Sequence, residues 1–439
     1  MTTTAAPPTH RIHPAWWVAA VTFLALVGAA AFRAVPGVLI DPLRDEFGWS
    51  VSTISAAVAV NMALYGLTAP FAAALMERFG VRRVVVAALL LTALGSGLTV
   101  FMTASWQLVA LWGFAVGLGT GSMALSLVAT VTGRWFVARR GLVSGILTAG
   151  GATGQLVFLP LVAWADQHWG WRSASLGTTA AALAVVPLVA WLLRDRPRDL
   201  GVTPYGGTAA DDVQPVRAGA GRTAVRGLAE AVRRRPFWLL AGGFFICGLS
   251  TNGLVQPHFI PAAHDHGMPV TTAAGLLAVV GIFDIAGTVF SGWLTDRVDP
   301  RLLLLAYYGL RGFSLFLLPP LFGPDLQASM IAFIVFYGLD WVATVPPTLA
   351  LCREHFGARA PVVFGWVFAA HQLGSAFAAY GGGVIRDVTG SYDLAWYLAA
   401  GLCMAAAAMS ISIRRNRTTP TATTLPTDRV TAAADQAHG

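Results

Sequence analysis

The chain has 439 residues, of which 56% are hydrophobic and 11% charged, and its mean hydropathy is +0.65. Soluble domains carry about 25% charged residues, so this composition excludes a soluble enzyme or binding module and points to a membrane protein. The formal charge of +8 comes from arginine alone, because the sequence has no lysine. Those arginines are scattered over short polar stretches beside apolar ones, where basic residues meet anionic lipid, which argues against a nucleic-acid partner.

A window of about 19 residues finds twelve apolar segments, each near the roughly 20 residues that a helix needs to cross the hydrocarbon core. In chain order they are residues 15–40, 54–76, 84–103, 107–132, 141–163, 172–193, 237–262, 272–295, 301–320, 326–350, 361–385 and 392–413. The first follows Arg11 and ends near "GAAAF", which has the flavour of a secretory signal. Its apolar run exceeds the usual length of a signal core and continues through "RAVPGVLI", so it reads as a retained helix. With these segments, 24 of the 29 arginines fall in one alternating set of loops and both termini. Only Arg44, Arg172 and Arg386 fall on the other side, while Arg33 and Arg311 lie inside segments. By the positive-inside rule both termini are expected in the cytoplasm, with a bacterial cytoplasmic membrane as the location.

Residues 1–14 read as a short cytoplasmic tail, 15–193 as one six-helix bundle and 237–413 as another. Between them, 194–236 is the only long polar interior stretch, rich in Gly, Pro and Arg, and reads as a cytoplasmic linker ending in a short amphipathic piece. The last stretch, 414–439, is low in complexity and reads as a disordered tail. Cys247, Cys352 and Cys403 sit in or at the edge of apolar segments without metal-ligand spacing, as packing residues do. The two halves also resemble each other. A shift of 219 lays "LMERFGVRR" from Leu75 on "LTDRVDPRL" from Leu294. A shift of 220 lays "GLVSGILTAGGATGQ" from Gly141 on "PVVFGWVFAAHQLGS" from Pro361, matching Gly145 with Gly365 and Gly154 with Gly374. Two bundles in the same orientation therefore read as a duplication.

"ALMERFGVRR" and "SGWLTDRVDPR", each between the second and third segment of a half, resemble the Gly-x-Leu-x-Asp-Arg-x-Gly signature of the major facilitator superfamily. Glu77 and Arg78 match its acid and arginine in the first copy, Asp296 and Arg297 in the second. Ala73 stands where the family has glycine in the first copy, and the second lacks the later glycine. The resemblance implies an all-α fold of two six-helix pseudo-repeats, a monomer, and alternating access gated in part by these loops. Further, "RAVPGVLIDPLRDEFGWSVSTIS" is similar to the first helix and loop of the monocarboxylate transporter group, which places a cation where Arg33 stands. That group pairs an aspartate in the eighth helix with an arginine four residues later; Asp284 matches the aspartate, but Thr288 occupies the arginine's place. The Gly-Pro-x-x-Gly-Gly motif of drug/proton antiporters is absent from the fifth segment, "GGATGQLVFLP".

Buried polar residues supply the candidate site, since a charge at the membrane midplane costs about 2.5 to 3.5 kcal/mol on the insertion scale and normally faces a partner or a wet cavity. Arg33 reads as a carboxylate anchor or as a side chain that snorkels to the surface or pairs internally. Asp284 has apolar or small neighbours for about ten positions on either side, and reads as an exchangeable proton site or as half of an ion pair with Arg311. Asp340, on a stripe with Tyr337 and Thr344, reads as a substrate or proton group, or as a second partner for Arg311. Pro346 and Pro347 are expected to bend their helix. His371, one turn before Ser375, is either a relay or a satisfied buried histidine. Asn61 with Tyr65 and Asn252 with Gln256 are i,i+4 pairs suited to cavity contacts or interhelical hydrogen bonds. Gly113, Gly117 and Gly121, and Gly141, Gly145, Gly150 and Gly154, follow small-xxx-small spacing for close packing. No Walker sequence, metal-spaced cluster or nucleophile motif is present, so neither cofactor nor enzyme activity is expected.

The chain therefore reads as a secondary active transporter of a small organic anion, monocarboxylate-like, together with protons, whose partners are a small solute, protons and the bilayer. Export of a drug-like or cationic metabolite, bound by Asp284 and Asp340 with Trp341 as an aromatic wall, is the alternative. Uptake of a neutral solute such as sugar ranks third, and a membrane sensor or enzyme last.

Overall fold

The computed structural model describes residues 12–123, 125–208 and 220–414, and all of its regular structure apart from one isolated bridge is helical. The proposed tail beyond Arg414 lies outside the described residues. Eleven helices are long and apolar enough to cross a membrane: α1 (Pro14–Phe47), α2 (Val51–Phe79), α3 (Val81–Phe101), α4 (Ser105–Trp135), α5 (Leu142–Trp169), α6 (Trp171–Leu192), α7 (Arg235–Asp265), α8 (Val270–Thr295), α10 (Ala328–Phe356), α11 (Ala360–Thr389) and α12 (Asp393–Ile411). The twelfth, α9 (Pro300–Leu317), is a leucine-rich run of 18 residues diluted by Arg301 and Arg311. Several helices outrun their apolar segments because the last turns are polar. α1, for instance, continues through Arg44, Asp45 and Glu46 before Gly48, at φ +67°, closes it with an N–H to the Arg44 carbonyl.

The halves are built alike. α1 packs on α5 and α7 on α11, α3 packs on α6 and α9 on α12. The matched glycines show the duplication at atomic level: a Cβ on Gly154 would stand 2.7 Å from the Val27 carbonyl of α1, and one on Gly374 would stand 2.0 Å from the Phe245 carbonyl of α7. The stripe in α4 serves the same purpose, with Gly113, Gly117 and Gly121 lying against Ala57, Asn61 and Tyr65 of α2 in steps of four. Gly145 and Gly365, also matched, have open space beside them.

Between the halves α2 runs against α11, and α5 against α8. At one end the halves are tied by hydrogen bonds. The Asp387 carboxylate on α11 accepts the Val51 and Ser52 N–H groups (3.0 and 2.8 Å), capping the N-terminus of α2 from the other half. Beside it His264 Nδ1 on α7 lies 3.1 Å from Asp41 Oδ2 on α1. At the arginine-rich end the linker helix Ala220–Ala231 lies across α2 and α11. Its Ala224 carbonyl accepts the Trp366 indole N–H at 2.9 Å, and Phe71 of α2 lies beside its Gly221.

In the second half α8 and α10 approach closely, so that a Cβ on Gly287 would stand 1.9 Å from the Leu339 carbonyl. Gly287→Ala is therefore expected to force the helices apart and lower stability by about 2 kcal/mol, read as a fall in melting temperature of the detergent-solubilised protein. Gly292→Ala, on the same helix with open space, is expected to match or exceed wild type. Equal melting of the two variants would show that α8 and α10 do not touch at Gly287.

Candidate functional site

A cavity of about 590 Å³ lies between the halves. Its lining runs from Asn61 and Trp112 near mid-helix to Ser144, Val289 and Phe364 toward the arginine-rich end. Asn61, Tyr65, Asn252, Gln256, Asp284 and His371 all line it. Leu26, Ala29, Ala30 and Pro36 of α1 line it too, and Arg33 occupies the intervening turn; its side chain lies outside the described residues. Among the described lining residues Asp284 carries the only carboxylate, and none carries a lysine or arginine head group.

Several of these groups have structural duties as well. Asn61 donates its amide to the Trp112 carbonyl (2.9 Å), tying α2 to α4. Tyr65 meets the ring of Phe368 at 6.2 Å. His371 is held between Phe244, 4.9 Å away, and the nearly parallel Phe368, 5.9 Å away, and its buried Nδ1 has no partner among the described residues. Tyr337 and Asp340 do not line the cavity. Tyr337 is fully buried and donates its hydroxyl to the Ser250 carbonyl at 2.7 Å, while Asp340 faces α9.

The sequence around Asp340 explains why. Pro346 and Pro347 lack the N–H groups that would bond the Val342 and Ala343 carbonyls in a continuous helix, and α10 is interrupted over residues 341–344. Buried backbone groups must find other partners, and the four carbonyls from Asp340 to Ala343 do. The Val342 carbonyl takes the Val345 N–H at 2.9 Å, and the Ala343 carbonyl takes the Ser291 hydroxyl of α8 at 2.5 Å. The carbonyls of Asp340 and Trp341 receive Arg311 Nη2 at 2.5 and 3.3 Å. Because Trp341 N–H takes the Gly338 carbonyl, Val342 N–H is freed and donates to Asp284 Oδ1 at 3.2 Å, where Thr288 Oγ1 also donates at 3.0 Å.

Arg311 is thus the group that completes the break. Wholly buried, it enters from α9, places Nε 2.5 Å from Asp340 Oδ2 and Nη1 3.0 Å from Cys247 Sγ. Sequence reasoning left Arg311 open to either acid; the structure pairs it with Asp340 and leaves Asp284 on neutral donors. Cys247, read from sequence as packing, also contacts the Thr344 hydroxyl at 3.2 Å, linking α7 to the break.

The two signature loops differ. In the first, Glu77 accepts Arg134 Nη2 at 2.5 Å, Arg134 reaches the Asp195 carbonyl at 3.3 Å, and Asp195 Oδ1 accepts the Arg82 N–H at 2.9 Å. Gly80, at φ +87°, makes room: a Cβ there would meet Asp195 Oδ2 at 2.5 Å. In the second, Asp296 and Arg297 are exposed, and Arg297 turns back onto the Trp293 ring, 4.2 Å away. Arg78 is exposed over Phe79. Arg134 and Asp195 were not singled out from sequence; each is a charge near a helix end, a pattern many structural residues share.

This architecture has a counterpart in sequence. Residues 22–379 match the Major Facilitator Superfamily. The chain belongs to that superfamily. It is 28% identical to an uncharacterized MFS-type transporter of Bacillus subtilis, YcxA, over 86% of this chain and 90% of that one. It is also 29% identical to monocarboxylate transporter 13 of Bos taurus (91% and 89%) and 26% to monocarboxylate transporter 11 of Mus musculus (91% and 87%). Among solved structures, a D-xylose-proton symporter superposes with a TM-score of 0.66 at 15% identity over 90% of this chain and 97% of that one. A bacterial homolog of the human lysosomal transporter Spinster, inward-facing and unoccupied, does so with the same score and identity over 92% and 96%. At that identity the likeness is one of fold. The protein is an integral-membrane transporter.

The buried pair sets a stability test. Arg311→Met strands the Asp340 carboxylate without its cation and is expected to cost about 3 to 5 kcal/mol, whereas Arg311→Met/Asp340→Leu removes both charges and regains most of it. Thermal unfolding in detergent reads both; a single variant as stable as wild type would show that the pair carries no such weight.

Proposed function

We propose that the protein carries a small organic anion of the monocarboxylate type across the membrane together with a proton, by alternating access. The reading rests on one observation: a cavity between the halves holds a carboxylate, Asp284, bonded only to neutral donors among the described residues, with the arginine position Arg33 on a helix that lines the same space. A carboxylate so held gains and loses a proton as the cavity turns from wet to dry, and an arginine on α1 supplies the fork of donors that a substrate carboxylate needs. Relatives named monocarboxylate transporters support the solute class. The fold shared with a proton symporter supports the coupling.

On this reading both termini and the arginine-rich loops are cytoplasmic, in a bacterial inner membrane. The tied end, with Asp387 on α2 and His264 on Asp41, is then the closed outer gate, and the cavity faces inward. Glu77 and Arg78 belong to a loop whose ion pairs hold the first half, and Asp296 and Arg297 to one that engages in another state. His371, Asn252 and Gln256 would contact the solute.

A second reading, export of a cationic drug-like metabolite, is favoured by the carboxylate of Asp284 among aromatic walls, with Trp112, Trp341 and Phe364 in the lining. One experiment separates the two. Purified protein in liposomes loaded with a pH-sensitive dye is challenged with small carboxylates and with lipophilic cations. Acidification by a carboxylate, reduced to the protein-free leak in Arg33→Gln and Asp284→Asn, is the expected result. Silence toward every carboxylate with proton release driven by a cation would replace the first reading by the second.

A further inference from the structure

Beyond the cavity itself, the bonds around the interrupted α10 have their cause in the sequence. Two prolines break the helix, and three side chains from two other helices take up what the break leaves open. Arg311 serves the C-terminal end of the first piece, where carbonyls accumulate negative potential; Asp284 takes the Val342 N–H inside the break, three residues before the second piece begins at Val345. One charge therefore fixes where the other charge's donor stands.

We propose that Arg311 and Asp340 are positioning residues for Asp284. Their ion pair anchors the first piece of α10, so that the break presents Val342 N–H to the carboxylate. Protonation of Asp284 then loosens the second piece of α10 from α8. This rests on the reading of Asp284 as the proton carrier. A carboxylate accepts a backbone N–H strongly, whereas the neutral acid has lost its charge and accepts weakly. Once the proton binds, the Val342 N–H is held by the weaker bond, and the Ser291 bond to the Ala343 carbonyl is the full-strength hydrogen bond that remains between α8 and the break among the described residues, beside side-chain packing. The anchored piece cannot follow, because Gly287 holds it against α8 and Arg311 holds it to α9.

Of the other titratable groups about this site, α9 contributes Arg311, Tyr308 and, beside Ser291, Tyr307; α10 contributes Asp340 and Tyr337; α7 contributes Cys247 and α12 Cys403; α2 contributes Tyr65 and α11 His371 at the cavity. α5 lines the space with the uncharged Thr148 and Gln155. Arg33 belongs to α1, with its side chain outside the described residues. Of these, Arg311, paired with Asp340, is the one bonded to the break on one side and acting electrostatically on Asp284 on the other.

The test places spin labels on cysteines introduced at Val298 and Arg353, exposed positions at the arginine-rich ends of α8 and α10; the three native cysteines are buried. The full-length protein in lipid nanodiscs is measured in alkaline and in acid buffer, and the same variants are assayed for proton-linked uptake in liposomes. Wild type is expected to lengthen the label distance in acid, and Asp284→Asn to show the acid distance in both buffers. Arg311→Met/Asp340→Leu is expected to lose the shift while remaining folded; Asp340→Asn, which keeps the arginine and its carbonyl bonds, serves should the double variant fail to fold. A shift retained in the pair variants overturns the positioning role and leaves Asp284 as carrier. A pH response and proton-linked uptake both unchanged in Asp284→Asn overturn the carrier reading instead.

Discussion

Two adjacent prolines in the tenth helix impose the constraint around which the second half is arranged. A helix in hydrocarbon cannot leave backbone groups unbonded, so the interruption at residues 341–344 had to be surrounded by side chains that replace the missing bonds. Ser291, Arg311 and Asp284 do so from α8 and α9. This explains an otherwise expensive choice, a fully buried arginine on a helix at the periphery of the bundle. Its partner Asp340 lowers the cost of the charge, and its carbonyl contacts use donors that a lysine's single ammonium group would not array in the same fork.

The same bonds divide two aspartates that look alike in sequence. Asp340 meets a guanidinium and is built into the scaffold, while Asp284 meets a hydroxyl and an amide and opens on the cavity. Neutral donors steady a carboxylate without fixing its charge, which is the condition an exchangeable proton requires. Thr288, four residues after Asp284, matters in this respect. An arginine there would put a fixed cation one turn away; the threonine leaves a single hydrogen bond.

Much of the fold was legible because the hydrocarbon core imposes a length and polarity on every crossing segment. All twelve helices announce themselves as apolar runs, with α9 the weakest because of the two arginines that later prove structural. The duplication was legible in Gly154 and Gly374, since a residue without a side chain at equivalent positions reports an equivalent helix contact. The cavity was legible in part: Asn61, Tyr65, Asn252, Gln256, Asp284 and His371 do share it. What sequence left open was pairing. Arg311 lies 29 residues from Asp340, and either acid suited it until the break fixed which faces of α10 turn toward α9 and α8. Arg134 and Asp195 escaped notice for the same reason, since their partners are 57 and 61 residues apart along the chain.

The asymmetry between the halves follows from this pairing. Duplication supplies both halves with a signature loop, yet only the first is closed by Arg134 and Asp195, while Asp296 and Arg297 of the second stay exposed. The arginine that Arg134 matches by the internal shift, Arg353, is itself exposed at the end of α10. The charges of the second loop are held locally, Arg297 by Trp293 and Asp299 by Arg301. The far segment of α10 and the loop after α8 lie on the same side of the break, and the Arg311–Asp340 pair stands at its boundary.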